Sequence, residues 1–368
     1  MERKYTLERS LLQRGDIILT AERAPLSKGV RFATGSKYSH AALWVGGTMI
    51  EAVMPGVFSK NAQRLILDKP THCAVFRSRA PLSEEQLDVI CRYARSQVGT
   101  LYALDEAMLV LPRRLMKLET TKRQFCSRLA ALAYAEIDYD FINLRSPQYC
   151  TPRQLARCKA FREVKGLVRP AEPGELEIAE RVDPNIKNAA DTFEWLGKVR
   201  ALVESDSKLR QYFDIQSVLD VNNLLLAHPE LDGPIVSFLH ENDYLTFFNH
   251  DAQANPHRYD PDALAAMLRA SSSRQDFLKQ EFGKESSLIR LHVENVRVSI
   301  INYAGTGLIF VLEHLRLYRN LLNEIWIRLN NLVTACETVG VHIQLSATRD
   351  IINFVRVWID LADRVLIE

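Results

Sequence analysis

Three residue types that together carry out acyl transfer occur in the first third of the chain. Cys126 lies in Gln124–Leu129 (QFCSRL), at the start of an apolar stretch that reads as a helix. A helix N-terminus favours a thiolate, because its unpaired N–H groups and its dipole stabilise negative charge. His40 heads the apolar run of Tyr38–Gly46 (YSHAALWVG), which reads as a strand. An imidazole beside a thiol takes its proton and later returns it to a leaving group. Glu51 sits on the next strand, across Gly46-Gly47, where cross-strand neighbours meet. A carboxylate on the far ring nitrogen fixes the tautomer of such an imidazole. Taken singly, each residue also has an ordinary role: a small buried hydrophobe, a hydrogen-bonded strand histidine, a solvated strand carboxylate.

The elements that must position them are readable from hydrophobic period. Gly15–Thr20, His40–Val45, Thr48–Ala52 and His72–Arg77 read as strands, with Gly46-Gly47 as a hairpin signal. Ser83–Val98 reads as a helix that Ser83 caps, with Gln86 completing a capping box and Gly99 ending it. A second helix is expected from Cys126 to Glu136, and a short helical turn over Thr151–Ala156 with Pro152 at its first position. Val168–Asp183 holds Pro170, Pro173, Gly174 and several acids, a linker composition. Beyond it the period is helical throughout: 190–204, 208–227, 235–249, 261–280, 286–303, 308–336 and 348–367. The expected organisation is an α+β domain over 1–168, a linker over 169–185 and an all-α domain over 186–368.

The ordered segments GDIILT, YSHAALWVG, IEAVMPGV (50–57), VGTLY (98–102), QFCSRLAALAY and TPRQLA resemble the YiiX/YebB-like branch of the NlpC cysteine hydrolases. In that branch the papain-like fold is permuted, so the His-bearing strands precede the Cys-bearing helix. The order His40, Glu51, Cys126 agrees. The resemblance covers about residues 11–168 and implies a permuted papain-like fold, Cys126 as nucleophile, His40 as base and Glu51 as orienting group. It also implies a tyrosine near the cleft, which Tyr102 fits, and the backbone N–H of Cys126 as an oxyanion donor. Tyr38 and Gln124, each two residues before a catalytic candidate, join Tyr102 as expected substrate-contacting residues.

One segment departs from the pattern. Ala103–Arg123 is apolar at Met108–Leu111 and basic at Arg113, Arg114, Lys117, Lys122 and Arg123. It reads either as a connector helix packed on the core or as a flap that accepts an acyl chain and faces anionic headgroups. Net charge is +2 overall, yet residues 1–170 carry +12 and residues 171–368 carry −10. The basic half therefore suits an anionic surface or the acidic half itself.

Several classes are excluded by pattern. The six cysteines (73, 91, 126, 150, 158, 336) contain no CxxC pair and the histidines no ligand spacing, so no metal is expected. His72, His240 and His342 read as structural or surface residues, and His240-Glu241 does not extend to HExxH. No phosphate loop or nucleic-acid module appears, so neither a nucleotide cofactor nor a nucleic-acid partner is expected. Without a basic-then-apolar leader or a long apolar run, a cytoplasmic location is expected, with delivery by a specialised secretion system as the alternative.

The functional expectation is a cysteine hydrolase or acyltransferase that cleaves an amide or ester through a Cys126 acyl-enzyme without a cofactor. Lipid-like and acyl-amide substrates compete with peptide and cell-wall substrates. A different class also fits: a binding or scaffold protein whose helical half engages a protein partner.

Overall fold

The short apolar runs of the first 80 residues become strands. A computed structural model describes residues 3–21, 37–108, 121–142, 144, 146–341 and 345–367. Its strands are β1 (Tyr5–Leu7), β2 (Ile17–Thr20), β3 (His40–Trp44), β4 (Met49–Val53), β5 (Gly56–Lys60), β6 (Cys73–Ser78), β7 (Phe161–Val164) and β8 (Val168–Pro170). Six of them form one antiparallel sheet in the order β5-β4-β3-β2-β6-β7, and β1 pairs with β8. The β3–β4 hairpin turns at Gly46 and Gly47, both at positive φ (84° and 82°), where a side chain would be strained.

The helices of the same region are α1 (Glu84–Ser96), α2 (Leu104–Met108), α3 (Cys126–Ala135) and α4 (Pro152–Arg157). The expected capping box forms at Ser83/Gln86, and a second one forms at Thr151/Gln154. α3 is apolar almost all round and lies against β3 and β4. Ile17, Leu19, Leu43 and Ile50 of the sheet share a core with Leu129, Ala133 and Tyr134 of α3. β5, β7 and the β1–β8 pair escape the sequence reading, because each is short and carries polar residues.

The stretch expected as a linker is structured. β8 occupies part of it, followed by α5 (Pro173–Glu180), in which Pro173 stands in the first turn and so breaks nothing. The chain divides into two compact units, Met1–Val221 and Asn222–Glu368, some 40 residues beyond the expected boundary. α6 (Pro184–Ser205) and α7 (Leu209–Tyr212) therefore belong with the sheet. α6 lies on β5, with Phe193 and Phe58 rings 4.9 Å apart. The approach is so close that a Cβ on Gly56 would sit 2.1 Å from the Thr100 carbonyl oxygen and 2.4 Å from the Phe193 ring. Arg200 of α6 donates to the Gly99 carbonyl at 2.7 Å.

α8 (Val218–Ala227) follows as a separate helix, because the Asp220 carboxylate accepts from the Gln216 and Ser217 N–H groups and stops the run expected over 208–227. The second unit adds α9 (Asp232–His240), α10 (Asn249–Ala254), α11 (Pro261–Ala270), α12 (Arg274–Thr306), α13 (Ile309–Val339) and α14 (Leu345–Ile367). The helix expected over 261–280 breaks at Ser271–Ser273, where Ser273 caps α12. α12, α13 and α14 pack around Leu315, Leu322, Leu329, Val355 and Ile359. A partly buried ion network of Arg258, Arg328, Asp251 and Glu285 lies beside this core. Among the described residues no helix is long and apolar enough to cross a membrane.

Candidate active site

β3 begins at His40, and its register places Ala42 opposite Glu51 of β4. His40 is two residues from Ala42, so alternation puts the His40 and Glu51 side chains on one sheet face. His40 Nε2 and Glu51 Oε2 are 2.8 Å apart. A carboxylate only accepts, so Nε2 carries the proton and Nδ1 is left to face the thiol. The remaining Glu51 oxygen, Oε1, is 3.3 Å from Lys60 Nζ.

Cys126 is the first residue of α3, with Phe125 extended before it. Its thiol is buried and hydrogen-bonded to His40. Burial opposes the charged form of His40, but the bonds to Cys126 and Glu51 outweigh it, and the imidazole pKa rises well above its ordinary value. For Glu51, burial again opposes the charge. His40 and then Lys60 prevail, and the carboxyl is drawn down to about 2. Both shifts favour a proton on the imidazole and a negative charge on the carboxylate beside it.

Arg128, two residues along α3, fixes the approach to Cys126. Its guanidinium is 1 % exposed and reaches Glu106 Oε2 at 2.6 Å, the Arg123 carbonyl at 2.9 Å and the Gln148 carbonyl at 2.8 Å. It also lies over the Phe125 ring, 4.4 Å from the centroid. Glu106 accepts in turn from the Thr121 N–H at 3.1 Å and from its hydroxyl. The ion pair thus joins the two ends of the basic-apolar segment, whose residues 109–120 lie outside the described residues, as does His342. Neither Lys60 nor the Glu106–Arg128 pair carries a sequence motif; each becomes significant through register and long-range contact alone.

The three expected substrate contacts fare differently. Gln124 is buried and donates to Gln97 Oε1 at 2.9 Å and to the Tyr93 hydroxyl at 3.3 Å, bracing α1 against the segment before Cys126; its own Oε1 is buried without a partner. Tyr38 is a core residue among Ile17, Leu43 and Phe76, and burial pushes its phenol up to about 12. Tyr102 is half-buried, bridges to Gln124 through its backbone and donates its N–H to the Pro55 carbonyl at 2.8 Å. Six free cysteines are buried, and the described residues hold no cluster able to ligate a metal.

The His40-bearing strand precedes the Cys126-bearing helix, the chain order that the resemblance to permuted papain-like enzymes implies. Residues 11–155 match the family model of permuted papain-like amidase enzymes, YaeF/YiiX, C92 family. The match bears out the resemblance carried by the ordered motifs. It covers less than half of the chain and contains Cys126, His40, Glu51, Lys60, Glu106 and Arg128. It ends before α5 and α6, so α6, which lies on β5, is additional to the permuted papain-like segment. No curated protein matches the chain.

Proposed function

We propose that the chain is a cysteine amidase in which Cys126 is the nucleophile, His40 the general base and acid, and Glu51 the group that orients the imidazole. The observation that carries this reading is the continuous contact Cys126–His40–Glu51, with the sulfur at the first residue of a helix. The Cys126 sulfur attacks the carbonyl carbon of an amide, and its proton resides on His40 Nδ1. The tetrahedral oxyanion forms beside the α3 N-terminus, whose N–H groups favour negative charge. Collapse breaks the C–N bond, His40 gives its proton to the leaving amine, and a thioester remains on Cys126. Water then attacks the thioester with His40 as base, which releases the acid and restores the thiol.

The finer reading is an acyl amide or lipid-like substrate. Its support is compositional: Met108–Leu111 supply apolar surface and Arg113, Arg114 and Lys117 supply cations shortly before the nucleophile. Each methylene of an acyl chain covered by such a surface contributes about 0.8 kcal/mol, and each cation near an anionic surface about 1 kcal/mol.

Two assays test these levels. Cys126→Ala and His40→Ala should abolish turnover of an acyl-amide and peptide panel while leaving the circular dichroism spectrum unchanged; full activity in either variant sinks the amidase reading. Anionic vesicles should bind the protein more tightly than neutral ones, and Arg113→Ser, Arg114→Ser and Lys117→Ser together should remove the difference. Equal binding to both vesicle types removes the lipid reading and leaves the peptide arm of the panel to name the substrate.

A further inference from the structure

Lys60 ends β5 opposite Met49, and Phe58, two residues earlier, stands opposite Glu51. Alternation therefore puts Lys60 on the sheet face that carries Glu51 and His40. The three side chains form a diagonal row across β3, β4 and β5: His40 Nε2 to Glu51 Oε2 at 2.8 Å, then Glu51 Oε1 to Lys60 Nζ at 3.3 Å. Lys60 is itself held at both polar atoms of the peptide group that follows it. Its carbonyl accepts from the Thr48 hydroxyl at 2.8 Å, and the next N–H, of Asn61, donates to Asp183 Oδ2 at 2.8 Å. Asp183 is buried and also caps α6 through Oδ1, which accepts from the Asn185 N–H at 3.0 Å.

We infer that Lys60 is a positioning residue of the active site, acting through Glu51: by holding Oε1 it turns Oε2 to His40 and keeps the imidazole aimed at Cys126. A carboxylate held by a single hydrogen bond rotates about its last bond at little cost, and the ring it orients then loses its aim. With both oxygens engaged the rotation is blocked. The anchor at Asp183 lies outside the residues matched by the family, so the α6 extension sets the position of a group that serves the permuted papain-like segment. This inference rests on the amidase reading of the same site and extends it to a residue that never touches substrate.

The test uses the full-length chain and iodoacetamide, which needs no knowledge of the substrate, with the modified peptide identified by mass. Alkylation of Cys126 in Lys60→Met should slow about fivefold at neutral pH, the upper range for a partly exposed ion pair. The acid limb of the rate should also move up by about one pH unit, as expected when a carboxylate loses a nearby cation. Lys60→Arg should keep both rate and limb near wild type, whereas Lys60→Gln should keep the fold and show the shifted limb. A wild-type profile in both Lys60→Met and Lys60→Gln overturns the inference, because a merely structural lysine would leave the profile unmoved. His40→Ala separates the two levels. If it leaves Cys126 alkylation unchanged, the amidase reading itself fails; if it slows alkylation while the Lys60 variants do not, only the role of Lys60 fails.

Discussion

Glu106→Gln should destabilise the first unit far more than the loss of one hydrogen bond. Arg128 is 1 % exposed and Glu106 4 %, so removing the carboxylate charge leaves a guanidinium buried without its counterion. Breaking one partner of a buried pair typically costs about 3–5 kcal/mol, against about 1 kcal/mol for an ordinary hydrogen bond. The two carbonyls that also accept from Arg128 remain, so the lower end of that range is expected. The assay is amide hydrogen exchange of peptides covering α3, where a loss of about 3 kcal/mol speeds exchange through unfolding by roughly a hundredfold or more. Burial raises the Glu106 pKa, but Arg128 and Thr121 overcome it and hold the carboxyl below its ordinary value. A depressed carboxyl contributes stability above pH 4.5 that disappears as pH falls through its folded value. The difference between wild type and Glu106→Gln should therefore narrow in acid. Replacing the pair together, as Glu106→Leu with Arg128→Met, should cost less than Glu106→Gln alone, since no orphan charge remains. Exchange within threefold of wild type in Glu106→Gln would refute the reasoning, because it would mean that water already solvates Arg128.

The remaining predictions concern the His40–Glu51 pair and the α6 extension. Glu51→Gln should lower activity on the best panel substrate without abolishing it, and bring the alkaline limb of the rate to lower pH, because the carboxylate is one of the groups that raise His40; an unmoved limb contradicts the orienting role. The raised His40 contributes stability below pH 6.5 that is lost as pH climbs through its folded value, and the depressed Glu51 contributes stability above pH 4.5 that is lost as pH falls toward about 2. Thermal unfolding across pH should accordingly show a plateau between about pH 4.5 and 6.5 in wild type with losses on both sides, and in Glu51→Gln a lower, flatter profile without the acid-side loss that Glu51 causes. Gly56→Ala should destabilise by about 1–3 kcal/mol, since the new methyl meets the Thr100 carbonyl oxygen and the Phe193 ring; urea unfolding identical to wild type counts against the close docking of α6. A chain ended at Ala171 should expose Phe58 and the β5 face and become insoluble or bind hydrophobic dye, and a soluble, active fragment of that length would restore the shorter domain.

Local signals carried much of this protein. The capping boxes at Ser83 and Thr151, the Gly46-Gly47 turn and the apolar run after Cys126 each act over a few residues, so strands β2, β3, β4 and β6 and helices α1, α3 and α4 stand close to where their sequence puts them. The pairing of His40 with Glu51 was also legible, because a tight hairpin fixes register and register fixes which side chains meet. The domain limit was not: Pro170, Pro173 and Gly174 look like a linker, yet one ends a strand, one opens a helix and the third stands in its first turn. Gln124 and Tyr38 stand near Cys126 and His40 in sequence, and only packing shows that both are buried and that Gln124 donates to Gln97. Lys60 meeting Glu51, Arg128 meeting Glu106, and Asp183 reaching back to Asn61 depend on strand order and on segments that approach from as many as 122 residues away. Hydrophobic period and capping are local properties of the chain, whereas these ion pairs exist only once the sheet has closed and buried them. The candidate site was thus legible as three residues and their order, whereas the contacts that orient and support them depend on tertiary structure.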